Sequence, residues 1–234
     1  MKARELLGSD VTPEGAALTL HAEGGGYVVR IGNEVLMSSR SHGSEQAMAV
    51  ASLGPALHAA KPRVLIGGLG MGFTLRAVLD VLPPRSEVVV AELFASVVEW
   101  NRGPLAALSA DALSDRRVRV EITDVRRVLD ASGTGFDSIL LDVDNGPEAL
   151  TTLANAAIYR PSGLAAIRSA LTPGGLVAVW SASPSRTFEK ALSRAGFRVE
   201  VVSLASRHDS HRGGRHTLFL GLTAENAGRR RPSF

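Results

Sequence analysis

Over the first forty positions apolar residues alternate with polar ones in short stretches, whereas beyond position 62 they gather into continuous runs. The early pattern predicts strands over 17–21, 27–31 and 34–37. The breaks between them, Gly24-Gly25-Gly26 and Gly32-Asn33, supply residues that take the positive backbone angles of tight hairpin turns. Over 43–60 the period lengthens, with Ala47, Val50, Ala51 and Leu57 at helical spacings, and Lys61-Pro62 ends the segment. The later runs, such as Val88-Val89-Val90 and Leu176-Val177-Ala178-Val179, suit strands covered on both faces of a sheet. They predict strands over 63–67, 87–91, 118–122, 136–142, 175–181, 198–204 and 217–222. Helical patterns lie between them over 74–81, 95–108, 160–171 and 185–195.

Strands and helices that alternate with little chain between them predict a parallel sheet with right-handed crossovers, hence an α/β fold. The last two strands break the rhythm. The polar loop joining them is shorter than the roughly dozen or more residues a parallel crossover takes, so they are predicted to pair antiparallel. A mostly parallel sheet finished by an antiparallel hairpin resembles the Rossmann-like layout of class I S-adenosylmethionine-dependent methyltransferases. The organisation expected is a small N-terminal β-hairpin region over 1–42, a Rossmann-like nucleoside-binding domain over 43–222 and a basic, disordered tail over 223–234.

Composition narrows the chemistry. The chain has 234 residues, 45% hydrophobic and 21% charged, which is ordinary for a folded globular protein and argues against general disorder. It contains no cysteine, which excludes disulfide scaffolds, cysteine nucleophiles and thiolate zinc sites. No stretch has the apolar length of a secretory signal or a membrane span, so a cytoplasmic protein without a membrane partner is expected. The net charge of +3 is the surplus of 26 basic over 23 acidic residues, a surplus that Arg229, Arg230 and Arg231 supply alone. With aromatic residues at 5% and no basic stripe interleaved with stacking side chains, nucleic acid is not an expected partner.

The informative segment is Val64-Leu65-Ile66-Gly67-Gly68-Leu69-Gly70-Met71-Gly72-Phe73-Thr74, which runs from a buried strand into a helix through four glycines. Such a loop lets main-chain amides and a helix N-terminus approach a nucleotide without side-chain obstruction, making Gly68, Gly70 and Gly72 candidate cofactor contacts. The next strand ends Val90-Ala91-Glu92, the following one Ile122-Thr123-Asp124 and the one after Leu140-Leu141-Asp142. Three successive strands thus deliver acids to one edge of the sheet, the edge where open α/β folds bind ligands. Glu92 is placed to accept hydrogen bonds from both hydroxyls of a ribose. Asp124 is equally suited to cap the helix that begins near Val125.

These residues resemble the spermidine synthase family of polyamine aminopropyltransferases, a branch of the class I methyltransferase-like fold, over roughly residues 28 to 222. The resemblance is carried by the glycine loop with Leu75-Arg76 behind it, by Ala91-Glu92, Ile122-Thr123-Asp124 and residues 136–142, and by Leu171-Thr172-Pro173-Gly174-Gly175. It implies that Glu92 holds the ribose, that Asp124 holds the adenine amino group and that Asp142 accepts a proton from the attacking amine. It further implies decarboxylated S-adenosylmethionine as co-substrate, a diamine such as putrescine as acceptor, no metal, a place in polyamine biosynthesis and a homodimer. The chain departs from the family at three places. Met71 stands where the family has an aspartate that helps hold the aminopropyl ammonium. Gly43-Ser44-Glu45 keeps only the acid of a Tyr-His-Glu stretch, and Asp144 lies one place away from the family's second loop acid.

The implied reaction is displacement at a carbon attached to a sulfonium, a leaving group that needs no metal; the protein aligns the nucleophile and removes its proton. Asp142 is the candidate base, with Glu45 and Asp144 as candidate cation-holding groups. The loop over 206–216 joins the last two strands near the same sheet edge, and His211 within it is a candidate substrate contact. Its three histidines have no recognised metal-ligand spacing, so no metal is expected. The same residues leave other readings open: a methyltransferase using ordinary S-adenosylmethionine, a catalytically decayed nucleoside-binding relative and a nicotinamide-dependent oxidoreductase. The glycine spacing Gly68-x-Gly70-x-Gly72 differs from that of the dinucleotide fingerprint.

Overall fold

The continuous apolar runs become the strands of a seven-stranded sheet whose two faces are both covered. The structure, a computed structural model, describes residues 4–40, 43–143, 146, 157–205 and 215–224. The large sheet comprises β5 (Arg63–Gly67), β6 (Glu87–Glu92), β7 (Val118–Ile122), β8 (Phe136–Leu141), β9 (Leu171–Ser181), β10 (Arg198–Ala205) and β11 (Arg215–Leu222), in the spatial order β10-β11-β9-β8-β5-β6-β7. All neighbours are parallel except β11, which runs antiparallel to β9 on one side and β10 on the other. The sequence-predicted final hairpin is therefore present.

Strand periodicity sorts the side chains into two cores. Val64, Ile66, Val88, Val90, Leu140 and Ala178 point to one face, where they meet α1 (Gly43–Ser52), α3 (Phe73–Val81) and α4 (Ala95–Arg102). Leu65, Val89, Ile139, Leu141, Val177 and Val179 point to the other, against α5 (Val125–Ser132), α6 (Pro161–Ala170) and α7 (Arg186–Arg194). The chain leaves β5 toward β6 and β7 on one side, then returns to place β8 on its other side. That reversal creates a crevice at the carboxyl ends of β5 and β8, the usual ligand position in open α/β sheets.

The N-terminal region is a four-stranded antiparallel sheet of β1 (Glu5–Val11), β2 (Ala17–Glu23), β3 (Gly26–Ile31) and β4 (Glu34–Ser38). Leu18, Leu20 and Val29 join the first core, so this sheet packs over the crevice side of the larger one. The sequence pattern predicts three of these strands and misses β1. As an edge strand β1 leaves Leu6 and Val11 exposed, and its register shifts between Leu6 and Gly8, so no clean alternation marks it. Two predicted helices are shorter than expected. The segment over 43–60 breaks at Leu53 into α1 and α2 (Gly54–His58) because Pro55 sits in the first turn of a new helix. The segment over 95–108 stops at Arg102, before Gly103-Pro104, and resumes as a 3-10 turn at Ala106–Ser109.

Candidate functional site

Glu92, Gly68 and Asp142 occupy one level across three neighbouring strands. Gly67 pairs with Ala91 on β6 and with Leu141 on β8, so the residue after each falls in the same row at the carboxyl edge. Strand spacing then sets the two acidic positions roughly 10 Å apart, with the glycine loop between them. The loop approaches β8 closely because Gly68, with φ of 88°, carries no side chain: a Cβ there would stand 2.5 Å from the Asp142 carbonyl oxygen. Gly68 N–H donates to the Ala91 carbonyl at 2.9 Å, and Asp142 N–H to the Gly67 carbonyl at 3.0 Å.

Above this row lies a cleft of about 760 Å³ of atom-free space, the solvent at its mouth included. Gly68, Gly70, Glu92, Asp124 and Asp142 all line it. Facing them across the cleft are Leu18, Val29, Leu36 and Met37 from the N-terminal sheet, with Phe94 and Val97 at the start of α4. The lining thus combines apolar side chains with acids and main-chain amides. No basic side chain is found among the described residues of the lining, so the cleft suits a neutral or positively charged ligand.

The acids differ in their environments. Glu92 is 7% exposed. Its Oε1 accepts the Phe94 N–H at 3.0 Å and its Oε2 the Leu69 N–H at 2.8 Å. Burial raises its pKa, and the main-chain amides of Phe94, Leu69, Leu93 and Gly70 pull in the opposite direction. Each carboxylate oxygen holds one of these amides at hydrogen-bond distance and can accept a further donor, such as a ribose hydroxyl. Asp142 is half-buried, yet its carboxyl is desolvated enough to raise its pKa, and the Thr74 hydroxyl, donating to Oδ2 at 2.9 Å, acts in the opposite direction. Asp124 caps α5: its Oδ1 accepts the Arg126 N–H at 2.8 Å, as an N-cap aspartate should, while the residue still lines the cleft. The capping and ligand-facing positions are therefore compatible.

Gly72 does not line the cleft. It is the left-handed N-cap of α3, with φ of 81°, and a Cβ there would press on Asn101 and Ser109, so its requirement is one of turn and packing. Met71 is 4% exposed and belongs to the first core with Leu69 and Leu75. Glu45 lies in the first turn of α1 and is not among the cleft-lining residues. Asp144 and His211 lie outside the described residues. Among the described residues no group of His, Asp and Glu is arranged to hold a metal, and no helix is long and apolar enough to cross a membrane.

Sequence reasoning missed two supports of the loop. Asn101, on α4 and fully buried, donates through Nδ2 to the Gly70 carbonyl at 2.8 Å and to the Val97 carbonyl at 2.9 Å. An asparagine one helical turn after Val97 and Val98, on the apolar face of its helix, was the available signal, since that side chain needs main-chain partners when buried. Thr74 carried a weaker one, being a buried hydroxyl immediately behind the glycines.

No protein-family model matches the chain. It is 34% identical to the polyamine aminopropyltransferase of Mycobacterium tuberculosis over 137 residues, which are 57% of this chain and 25% of that protein. It is 29% identical to the polyamine aminopropyltransferase of Saccharolobus islandicus over 143 residues, which are 61% of this chain and 46% of that protein. The match therefore spans between a quarter and about half of the length of these curated relatives. Among solved structures, spermidine synthase from Thermotoga maritima superposes with a TM-score of 0.71 at 19% identity, covering 95% of this chain and 74% of that one. A spermidine synthase in complex with the transition-state analogue AdoDATO gives 0.70 at 18% identity, covering 95% and 73%. The chain is thus related in sequence to polyamine aminopropyltransferases and shares the spermidine synthase fold, a class I methyltransferase-like architecture.

Proposed function

We propose that the chain is a transferase that moves an aminopropyl group from decarboxylated S-adenosylmethionine to an amine acceptor. The observation that carries this reading is the single row in which Glu92 and Asp142 flank the side-chain-free Gly68 beneath one cleft. Its relatives in sequence bear the name of that activity, and one neighbour in fold holds a transition-state analogue.

In this reading the two carboxylate oxygens of Glu92 each take a ribose hydroxyl, and Asp124 takes the adenine amino group on the carboxylate oxygen that the α5 cap leaves over. The apolar wall of Leu18, Val29, Leu36 and Met37 covers the nucleoside and keeps water from the sulfonium. The amine's lone pair forms a bond to the propyl carbon next to sulfur. The carbon–sulfur bond breaks with its electron pair going to sulfur, which leaves neutral methylthioadenosine. The proton lost by the amine passes to the Asp142 carboxylate. A carboxyl whose pKa is raised by burial is a stronger base than an exposed one, which suits this task. Glu45, Asp144 and His211 belong to the same proposal as acceptor contacts, and a cytoplasmic homodimer rests on the family resemblance alone.

The test is calorimetry with methylthioadenosine and S-adenosylhomocysteine, followed by mass detection of methylthioadenosine released with a panel of amines. Tighter binding of methylthioadenosine and amine-dependent release support the proposal. A clear preference for the carboxylated nucleoside, or turnover unchanged in Asp142→Asn with nucleoside binding intact, would overturn it.

A further inference from the structure

A carboxylate that is to accept a proton must present one oxygen in a fixed direction, and the surroundings of Asp142 fix almost everything about it. Its main chain is pinned from both sides, by the hydrogen bond from its N–H to the Gly67 carbonyl and by the close approach of Gly68 to its carbonyl oxygen. What the main chain leaves free is rotation of the carboxyl group. The Thr74 hydroxyl, donating to Oδ2 at 2.9 Å, removes that freedom. Among the described residues Thr74 is the one side chain bonded to this carboxyl.

Thr74 is 3% exposed, sits in the first turn of the nine-residue α3 and does not line the cleft, so it has no surface to offer a ligand. It is attached through the glycine loop itself, two residues after Gly72. We infer that Thr74 is a positioning residue, whose hydroxyl holds Asp142 so that Oδ1 alone faces the acceptor amine; this rests on the reading of Asp142 as the proton acceptor.

No charged side chain among the described residues acts appreciably on the Asp142 carboxyl. Glu92 on β6 and Asp124 after β7 share the cleft, Arg76 on α3 is engaged with Asp80, and Tyr159 donates to the neighbouring Val143 carbonyl. Burial raises Asp142 and the Thr74 hydrogen bond alone opposes it. A bond to the ionised form favours that form, so its loss moves the titration of Asp142 to higher pH.

The experiment compares Thr74→Val, which keeps the shape, with Thr74→Ser, which keeps the hydroxyl. In Thr74→Val, kcat is expected to fall about tenfold, the worth of one hydrogen bond to a charged group. KM and the affinity for methylthioadenosine are expected to hold, and the acid limb of the kcat/KM profile to move up by about one pH unit. Thr74→Ser is expected to restore both rate and limb. An acid limb that stays in place in Thr74→Val, or a serine variant as impaired as the valine one, would assign Thr74 to packing and overturn the inference. If the unmodified protein binds methylthioadenosine but turns over no amine, the functional reading fails by itself. The inference is then decided by the carbon-13 titration of the Asp142 carboxyl: a midpoint at higher pH in Thr74→Val supports it and an unchanged titration refutes it.

Discussion

The carbonyl oxygen of Asp142 lies 2.5 Å from the place a Cβ on Gly68 would take, far inside van der Waals contact. The contact joins the glycine loop to the strand that carries the candidate base, and both parts of it are main chain, so no side-chain rotation relieves a collision. Gly68 also has φ of 88°, in the left-handed region that favours glycine. Gly68→Ala is therefore expected to destabilise the fold by about 2–4 kcal/mol and to abolish nucleoside binding. Gly32→Ala is the control: it also has positive φ, at 55°, but a Cβ there meets nothing within 4 Å. It should cost only the backbone strain, about 1 kcal/mol. Urea denaturation of the two variants separates collision from strain.

Glu92 accepts the Leu69 N–H on one carboxylate oxygen and the Phe94 N–H on the other, and each oxygen can accept a ribose hydroxyl besides. Each bond to the carboxylate is worth about 1.5–3 kcal/mol. A 2′-deoxy analogue of methylthioadenosine is thus expected to bind about 10- to 100-fold more weakly than the parent compound. In Glu92→Ala the parent and the deoxy analogue should bind equally weakly, because the group that distinguishes them is gone. Calorimetric affinities that keep the tenfold gap in that variant would place the ribose elsewhere.

Most of the large sheet was legible because its strands are buried on both faces, and their continuous apolar runs cannot be mistaken for a one-sided pattern. The acids were legible for a related reason: Glu92 and Asp142 come at the ends of apolar strands and Asp124 just after β7, and a parallel sheet brings such ends to one edge. What the sequence did not carry was direction. Nothing in Gly70-Met71-Gly72 distinguishes a glycine that lines the cleft from one that packs on Asn101, because the distinction depends on which side of the loop α4 occupies. The strand β1 was hidden because edge strands with exposed apolar residues lack alternation. The apolar wall of the cleft was hidden because Leu18, Val29, Leu36 and Met37 come from three separate strands.

Met71 stands where the resembling family has a cation-binding acid, yet its side chain is turned into the core beside Leu69 and Leu75. An acid introduced there meets apolar neighbours and not the cleft. Met71→Asp is expected to lose about 3–5 kcal/mol of stability, as an unpaired buried charge does, and to gain no affinity for an aminopropyl ligand. Met71→Leu, which conserves volume, should stay within about 1.5 kcal/mol of the parent. Denaturant midpoints for both variants check this, and a stable Met71→Asp protein that binds the aminopropyl compound more tightly would show that the side chain reaches the cleft.

Asp142 and Glu92 both have folded-state pKa values raised by burial, and this makes the empty protein's stability depend on pH in a definite direction. An acid with a raised folded-state value keeps its proton more tightly when folded than when unfolded. Its contribution to stability is complete below the ordinary carboxyl range, near 3.8 for aspartate, and is lost as pH rises through the raised value. The loss amounts to about 1.4 kcal/mol for each pH unit that separates the folded-state value from the unfolded one. Asp142→Asn removes one of the two groups without disturbing its neighbours, since the asparagine carbonyl accepts the Thr74 hydroxyl as the carboxylate does. The variant is therefore expected to match the parent in acid, to exceed it at neutral pH and to be devoid of turnover there. Its stability should still decline with pH, less steeply, because Glu92 remains. Saturating methylthioadenosine should stabilise both proteins by similar amounts, since in the proposed mode the ribose is held by Glu92. Thermal unfolding across pH, with and without the nucleoside, measures all of these effects at once; parallel curves for parent and variant would mean that Asp142 ionises as freely in the fold as in the open chain.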